Sequence, residues 1–67
     1  MRYKIGEVVV FSYGIPPKSP YIGEIVGFDI DYYIIVSSRS GSLFILEGEI
    51  ECRATHSEKL VYYGNDI

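Results

Sequence analysis

The sequence predicts an all-β fold, a small five-stranded β-barrel with a C-terminal extra strand or arm. Isoleucine, valine and tyrosine dominate the apolar residues, and β-branched and aromatic side chains favour strands. Short apolar runs alternate with glycine, proline, aspartate and serine, which are typical of turns. The chain has only 67 residues, so it forms at most one domain with a small core.

The composition excludes several classes of protein. With one cysteine, Cys52, and one histidine, His56, the chain has no internal disulfide and too few ligands for structural zinc. The start at Met1 is too polar for a signal peptide. The longest apolar runs have about five residues, whereas a membrane-spanning helix needs about 20. We therefore expect a cytoplasmic protein with no cofactor, no metal and no membrane contact.

The first four strands follow from the apolar runs. A turn at Asp29–Asp31 separates the second strand from the third, and Ser38–Gly41 separates the third from the fourth. The loop of residues 14–20 holds three prolines and cannot join a sheet ladder. Pro17 and Pro20 have the spacing of polyproline ligands, but a stiff connector explains them more simply. The predicted strands are Val8–Tyr13, Tyr21–Phe28, Tyr32–Ser37 and Ser42–Leu46.

Two glycines interrupt the second predicted strand. Gly23 and Gly27 are four residues apart, so a regular strand places them on the same face. Glycine inside a strand marks a bulge, a bend or the close approach of another backbone. Both glycines suit a strand that coils strongly to close a small barrel.

The C-terminal part allows alternatives. Because Gly48 weakens a strand interior, we favour a 3₁₀ turn at Glu47–Glu49 and a last strand at Ile50–Ala54 over one continuous strand. Residues 1–54 then form the barrel, and residues 55–67 form an extension packed on it. Thr55–Glu58 has the spacing of a helix capping box. However, Leu60–Tyr63 is β-prone, so the extension is predicted to be a sixth strand or an extended arm.

The order of these segments resembles Src-homology-3-like small barrels, in particular their Tudor-like and KOW-like members. The resemblance covers about residues 4–54 and is one of spacing and residue type, so it concerns fold rather than function. It implies a core of Val9, Phe11, Ile25, Phe28, Tyr33, Ile35, Phe44 and Ile50. The matching segments are Gly6–Phe11, Gly23–Phe28, Tyr33–Ile35, Leu43–Ile45 and Glu49–Ile50.

The sequence offers little for catalysis or metal binding, and we expect no enzyme and no catalytic residue. On a strand, Cys52 and His56 lie about 13 Å apart, beyond hydrogen-bond reach. Cys52 is expected to be a small buried apolar residue, and His56 a surface residue. Glu47, Glu49 and Glu51 are spaced too widely along one strand to enclose a cation, so they are expected to form a solvated acidic face.

Two predicted strands, residues 8–13 and 32–36, are apolar on both faces. A thin barrel buries about one face of each strand, so the outer side chains must be covered by the C-terminal extension, by a second copy or by another protein. We favour another protein, which predicts a non-catalytic protein-interaction module. The residues expected to contact the partner are Tyr13, Tyr21, Tyr32, Ile34, Tyr62 and Tyr63.

Other functions remain open at this stage. Aromatic side chains could stack nucleic-acid bases, as in Tudor-like or KOW-like barrels. Six Lys and Arg against nine Asp and Glu oppose that role, because phosphate neutralisation dominates nucleic-acid affinity. The small acidic chain also suggests a viral or mobile-element protein, either one that binds or inhibits a host complex or a structural component of a virion.

Overall fold

A computed structural model describes residues 2–14, 20–37 and 41–64. Within these residues the chain is mainly β-structure, with a 3₁₀ turn at Glu47–Glu49 and one C-terminal helix, α1, at His56–Gly64. Residues 15–19 of the predicted proline loop lie outside the described ranges. Residues 38–40 of the predicted turn between the third and fourth strands also lie outside them. The strands are β1 (Val8–Ser12), β2 (Pro20–Asp29), β3 (Tyr32–Ser37), β4 (Gly41–Leu46) and β5 (Ile50–Arg53).

The five strands form one antiparallel sheet in the order β4-β3-β2-β1-β5. Five strands, the 3₁₀ turn and the short last strand agree with the sequence prediction. The predicted closure into a barrel is not seen, because β4 and β5 are the two edges of the sheet and do not pair with each other in the described part of the chain. The 3₁₀ turn carries the chain from one edge to the other, so β5 adds to β1 and not to β4.

The core lies on one face of the sheet, which we call the inner face. Six of the eight predicted core residues are buried there, whereas Phe28 and Phe44 are 41% and 59% exposed. Phe28 does point inward, but it lies at the margin, where its ring meets that of Tyr33 edge to face. Phe44 points to the other face, and its neighbour Ile45 takes the core position. The inner core is Tyr3, Val9, Phe11, Ile25, Tyr33, Ile35, Ile45 and Ile50.

A bulge in β2 changes the expected placement of its glycines. Ile25 pairs with Ile35 and Gly27 with Ile34, so Val26 is an extra residue in the ladder. Because side chains alternate between faces, the extra residue turns Gly27 to the outer face while Gly23 stays on the inner face. The prediction that both glycines share one face was therefore wrong.

The C-terminal segment is a helix, and the prediction of a sixth strand or extended arm was wrong. The capping box decides the outcome. The Thr55 N–H donates to Glu58 Oε1 at 2.8 Å, and the Glu58 N–H donates to Thr55 Oγ1 at 3.2 Å. These bonds satisfy backbone donors at the helix start and offset the β-propensity of the residues that follow.

A hydrogen-bonded tyrosine ties the N-terminal segment to the core. The buried Tyr33 hydroxyl accepts the Tyr3 N–H at 3.1 Å and donates to Glu47 Oε1 at 2.5 Å, and the same carboxylate accepts the Arg2 N–H. Burial, together with the bond to Glu47, raises the pKa of the Tyr33 phenol. The Tyr33 hydroxyl and the Arg2 N–H lower the pKa of Glu47 below its ordinary value of 4.5. The phenol therefore stays neutral and the carboxylate ionised.

Candidate interaction surface

The helix covers one half of the outer face of the sheet. Tyr62 packs on Val8 and Val10 of β1, in a second apolar cluster that also contains Ala54 and Ile22. The Tyr62 hydroxyl donates to the Val36 carbonyl at 3.1 Å. β1 is therefore apolar on both faces because both are buried, one by the inner core and one by the helix. The C-terminal extension therefore covers the outward apolar side chains of β1, which are part of the apolar surface that the sequence predicted to need cover.

The other half of the outer face has no cover among the described residues. Tyr32 is 40% exposed, Phe44 59% and Leu46 43%, while Ile34 is half-buried. They form two cross-strand rows, since Tyr32 pairs with Leu46 and Ile34 with Phe44. The rings of Tyr32 and Phe44 meet edge to face with centroids 6.3 Å apart. We call Tyr32, Ile34, Phe44 and Leu46 the outer patch.

Gly27 extends the outer patch with a position that has no side chain. It pairs with Ile34, which in turn pairs with Phe44, so the three form one row across the outer face. A methyl group at Gly27 would lie 3.5 Å from Ile34 Cδ1, an ordinary contact, and the backbone does not have positive φ. Neither space nor backbone conformation therefore requires glycine here. Gly27 adjoins the bulge at Val26, where strand glycines are common, and its missing side chain leaves space beside Ile34.

The β2–β3 turn adds an apolar residue in an unfavourable conformation. Asp29 pairs with Tyr32, so Ile30 and Asp31 form a two-residue hairpin loop. Ile30 has φ of 55° and is 86% exposed. The first position of such a loop favours glycine, and a β-branched residue with positive φ is an outlier. Local strain of this kind is found preferentially at functional sites. Ile30 lies at the end of the strands that carry Tyr32 and Asp29, beside the outer patch.

Carboxylates accompany the outer patch, and the two strands that carry it have no lysine or arginine. Asp29 lies opposite Tyr32 on the outer face, and Glu24 lies opposite Val36. Glu49, just past Leu46, accepts the Leu46 N–H through Oε1 at 3.0 Å. The surface is therefore apolar with an acidic margin.

The six residues predicted to contact a partner are spread over three places. Tyr32 and Ile34 belong to the outer patch. Tyr21 lies on the inner face against Phe11, and Tyr13 touches its ring with centroids 6.3 Å apart. Tyr62 lies on the side of the helix that packs against the sheet, whereas Tyr63 is exposed on the helix. The structure thus brings together only Tyr32 and Ile34 on one surface.

Sequence reasoning missed Phe44 and Leu46 as surface residues. The segment from Leu43 to Leu46 is continuously apolar, so periodicity alone does not show which side chains point inward. A usable signal was present in Ser42, since alternation from a polar residue places Phe44 and Leu46 on the same face as Ser42.

The remaining candidate residues are either exposed or hold structural hydrogen bonds. Cys52 is exposed at the β5 edge, so its predicted burial was wrong, and His56 is exposed at the start of the helix. Each glutamate accepts a hydrogen bond: Glu47 from the Tyr33 hydroxyl, Glu49 from the Leu46 N–H, and Glu51 from the Ser12 hydroxyl. No group of three or more potential metal ligands occurs in residues 2–14, 20–37 and 41–64.

Comparison of the chain with protein-family models, with curated proteins and with solved structures finds no match in any of the three. Among the described residues, the one helix is neither long nor apolar enough to cross a membrane.

Proposed function

We propose that this chain is a non-catalytic protein-interaction module that binds another protein through its outer patch. The observation that carries the proposal is the division of the outer face. The helix covers the half over Val8 and Val10, yet the half with Tyr32 and Phe44 is left to solvent. A contiguous exposed apolar surface with a polar margin is typical of an interaction site.

The residue types of the outer patch fit this use. Aromatic side chains bury large area with few rotatable bonds and are enriched among residues that dominate binding energy. Tyr32 and Phe44 already hold each other in an edge-to-face contact, so little side-chain entropy is lost when a partner binds. Gly27 leaves room beside Ile34 for a partner side chain.

The acidic margin favours a different protein over a second copy as the partner. Two identical surfaces joined by a two-fold axis would bring together the carboxylates of Asp29 and Glu24 without any cation from either outer patch. A partner with lysine or arginine beside its apolar contacts would neutralise them, and complementary charge improves both association rate and specificity.

The resemblance to Src-homology-3-like barrels remains part of the proposal. Five antiparallel strands and a 3₁₀ turn before the last strand support it. The open edges of the sheet are the feature that differs from a closed barrel. A cytoplasmic location also remains a proposal.

Nucleic-acid binding has less support. Arg2 and Arg53 both lie over the ring of Tyr3, with guanidinium carbons 5.6 and 4.9 Å from its centroid. The Arg53 guanidinium pairs with the Glu7 carboxylate, which offsets its charge, and Glu47 places a further carboxylate at the Arg2 backbone N–H. A viral or mobile-element origin, with a role in a virion or in binding or inhibiting a host complex, remains a separate proposal. The proposed protein interaction does not depend on that origin.

The proposal is tested by affinity capture from an extract of the cells in which the chain is found. Three immobilised baits are compared: wild type, Phe44→Asp in the outer patch, and Leu60→Asp on an exposed helix position as the matched control. We expect one protein to be retained by wild type and Leu60→Asp and to be depleted at least about tenfold by Phe44→Asp, a loss of about 1.4 kcal/mol. Tyr32→Ala should weaken capture of the same protein. Equal capture by all folded baits would contradict the proposal.

A further inference from the structure

The two edges of the sheet differ in how they are protected. β5 has four residues, two of them charged, Glu51 and Arg53, and its ladder with β1 contains a register shift. β4 has six residues without charge, proline or bulge, and its register with β3 is unbroken. Short length, charge and bulges are the usual devices that stop another strand from adding to an edge. β5 has all three, and β4 has none.

The direction of the β4 backbone groups follows from one hydrogen bond. The Leu46 N–H donates to the side chain of Glu49, so it points away from β3. Because the backbone groups of successive strand residues point alternately to the two sides, the N–H and C=O of Phe44 and Ser42 face the same outer edge. No described strand pairs with this edge. It therefore presents the N–H and C=O groups of Ser42 and Phe44 in an extended geometry, whereas the Leu46 N–H is already bonded to Glu49.

The surroundings of this edge indicate the chemistry of its occupant. The Glu49 carboxylate stands at the Leu46 end of this edge. β4 itself carries no charge. An added strand would place every second side chain beside Phe44 and Leu46, and its end nearest Leu46 would lie beside the Glu49 carboxylate.

We propose that β4 recruits an extended segment of a partner protein as a sixth strand, with apolar side chains on the outer face and lysine or arginine at the end beside Leu46 and Glu49. The inference rests on the proposed function and adds to it the mode of binding. Backbone hydrogen bonds supply part of the affinity, and alternate side chains supply specificity.

The test uses nuclear magnetic resonance titration of the full chain with short synthetic peptides. The probe has alternating valine and threonine between two terminal lysines. Its matched controls are the same peptide with alternate backbone amides N-methylated and the same peptide with terminal glutamates. We expect the lysine peptide to shift the backbone amides of Ser42 and Phe44, and N-methylation to abolish these shifts. Terminal glutamates should weaken binding roughly three- to tenfold at low salt.

A pair of variants separates edge pairing from contact with the face. Phe44→Ala and Phe44→Pro both remove the ring, but only proline removes the edge N–H, and β4 keeps its bonds to β3 because this N–H points outward. Weaker peptide binding by Phe44→Pro than by Phe44→Ala supports strand addition. If Phe44→Pro does not fold, the N-methylated peptide on wild type decides alone.

Two results with peptide would overturn the inference: no shift at Ser42 and Phe44 with the lysine peptide, or equal binding of the N-methylated peptide. A third is a shift of these amides with protein concentration in the absence of peptide. That result would mean that a second copy of the chain occupies the edge. Retention of a partner in the capture experiment, with loss by Tyr32→Ala, would then leave the proposed function standing without strand addition.

Discussion

At the scale of single residues, the two glycines of β2 have opposite roles. A methyl group at Gly23 would lie 2.5 Å from Ile35 Cγ2 and 2.8 Å from the Val36 carbonyl oxygen, and the backbone oxygen cannot move aside without disturbing the ladder. Gly23→Ala should therefore destabilise the fold by about 1–3 kcal/mol through overpacking. Urea denaturation measures this, and a midpoint equal to that of wild type would contradict it.

Gly27→Ala is the matched control and should behave in the opposite way. The new methyl group makes only an ordinary contact with Ile34. Replacing a strand glycine lowers the conformational entropy of the unfolded chain, so stability should rise by about 0.5–1 kcal/mol. If Gly27 provides space for a partner side chain, the same variant should capture less of the partner. A variant that is more stable and binds the partner normally would show that Gly27 has no part in binding.

The Tyr33 hydroxyl should contribute measurably to stability. Tyr33→Phe leaves the buried Tyr3 N–H without its acceptor and removes the bond to Glu47. An unsatisfied buried donor costs about 1–3 kcal/mol. Tyr63→Phe, at an exposed helix position, is the control and should be neutral in the same thermal denaturation experiment.

The pH dependence of stability follows from two carboxylates with lowered pKa values. Hydrogen bonds from Tyr33 and Arg2 lower the pKa of Glu47, and those from Lys4 and Arg53 lower that of Glu7. A group whose folded pKa is below its unfolded value stabilises the fold above the unfolded value, here near 4.5, and loses this effect as pH falls through the folded pKa. Glu47→Gln should make the decline in stability below pH 4.5 shallower. An unchanged acid slope would contradict this assignment.

At the scale of secondary-structure elements, the strands were predictable and the faces were not. Apolar runs and turn residues locate β1 to β5 to within one or two residues, because strand propensity and turn chemistry act locally. Glycines in β2 indicated a bulge or a bend, but only the pairing of β2 with β3 places a bulge at Val26, which reversed the face of Gly27. Phe44 and Ile45 are both apolar, so the sequence separates them only through alternation from Ser42, and the register with β3 shows that Ile45 enters the core.

The helix shows the same division between local and non-local information. The capping box was visible in Thr55 and Glu58, and it outweighs the β-propensity of the residues after it. What made the helix hard to predict is its tertiary support, since docking of Tyr62 on Val8 and Val10 stabilises a segment too short to be helical alone.

Docking of the helix should depend on Tyr62 and little on its neighbour. Tyr62→Ala removes the contact with Val8 and Val10 and the hydrogen bond to Val36. We expect reduced helical circular dichroism and faster amide exchange in the helix, with a loss of about 2–4 kcal/mol. Val61→Ala, at a largely exposed position, should leave both signals unchanged. Equal effects of the two variants would mean that the helix does not dock through Tyr62.

At the scale of the whole molecule, the described part of this small chain buries only some of the apolar side chains of its sheet. One inner core and one helix bury both faces of β1, but the chain has no further element in its described part to cover the outer patch. The sequence therefore correctly indicated more apolar strand surface than one core buries. The helix covers part of this surface, and the outer patch is exposed to solvent. Its position on β3 and β4 became known only with the sheet order, because the sequence does not specify which strands the helix crosses.

Site-specific photo-crosslinking tests the central claim most directly. A photoreactive phenylalanine analogue replaces Phe44 in one sample and Leu60 in another, and both are irradiated in extract of the source cells. We predict that position 44 forms a covalent product with one discrete protein species other than a second copy of the chain, and that position 60 does not. No product from position 44, or the same products from both positions, would contradict the claim that the outer patch binds a partner protein.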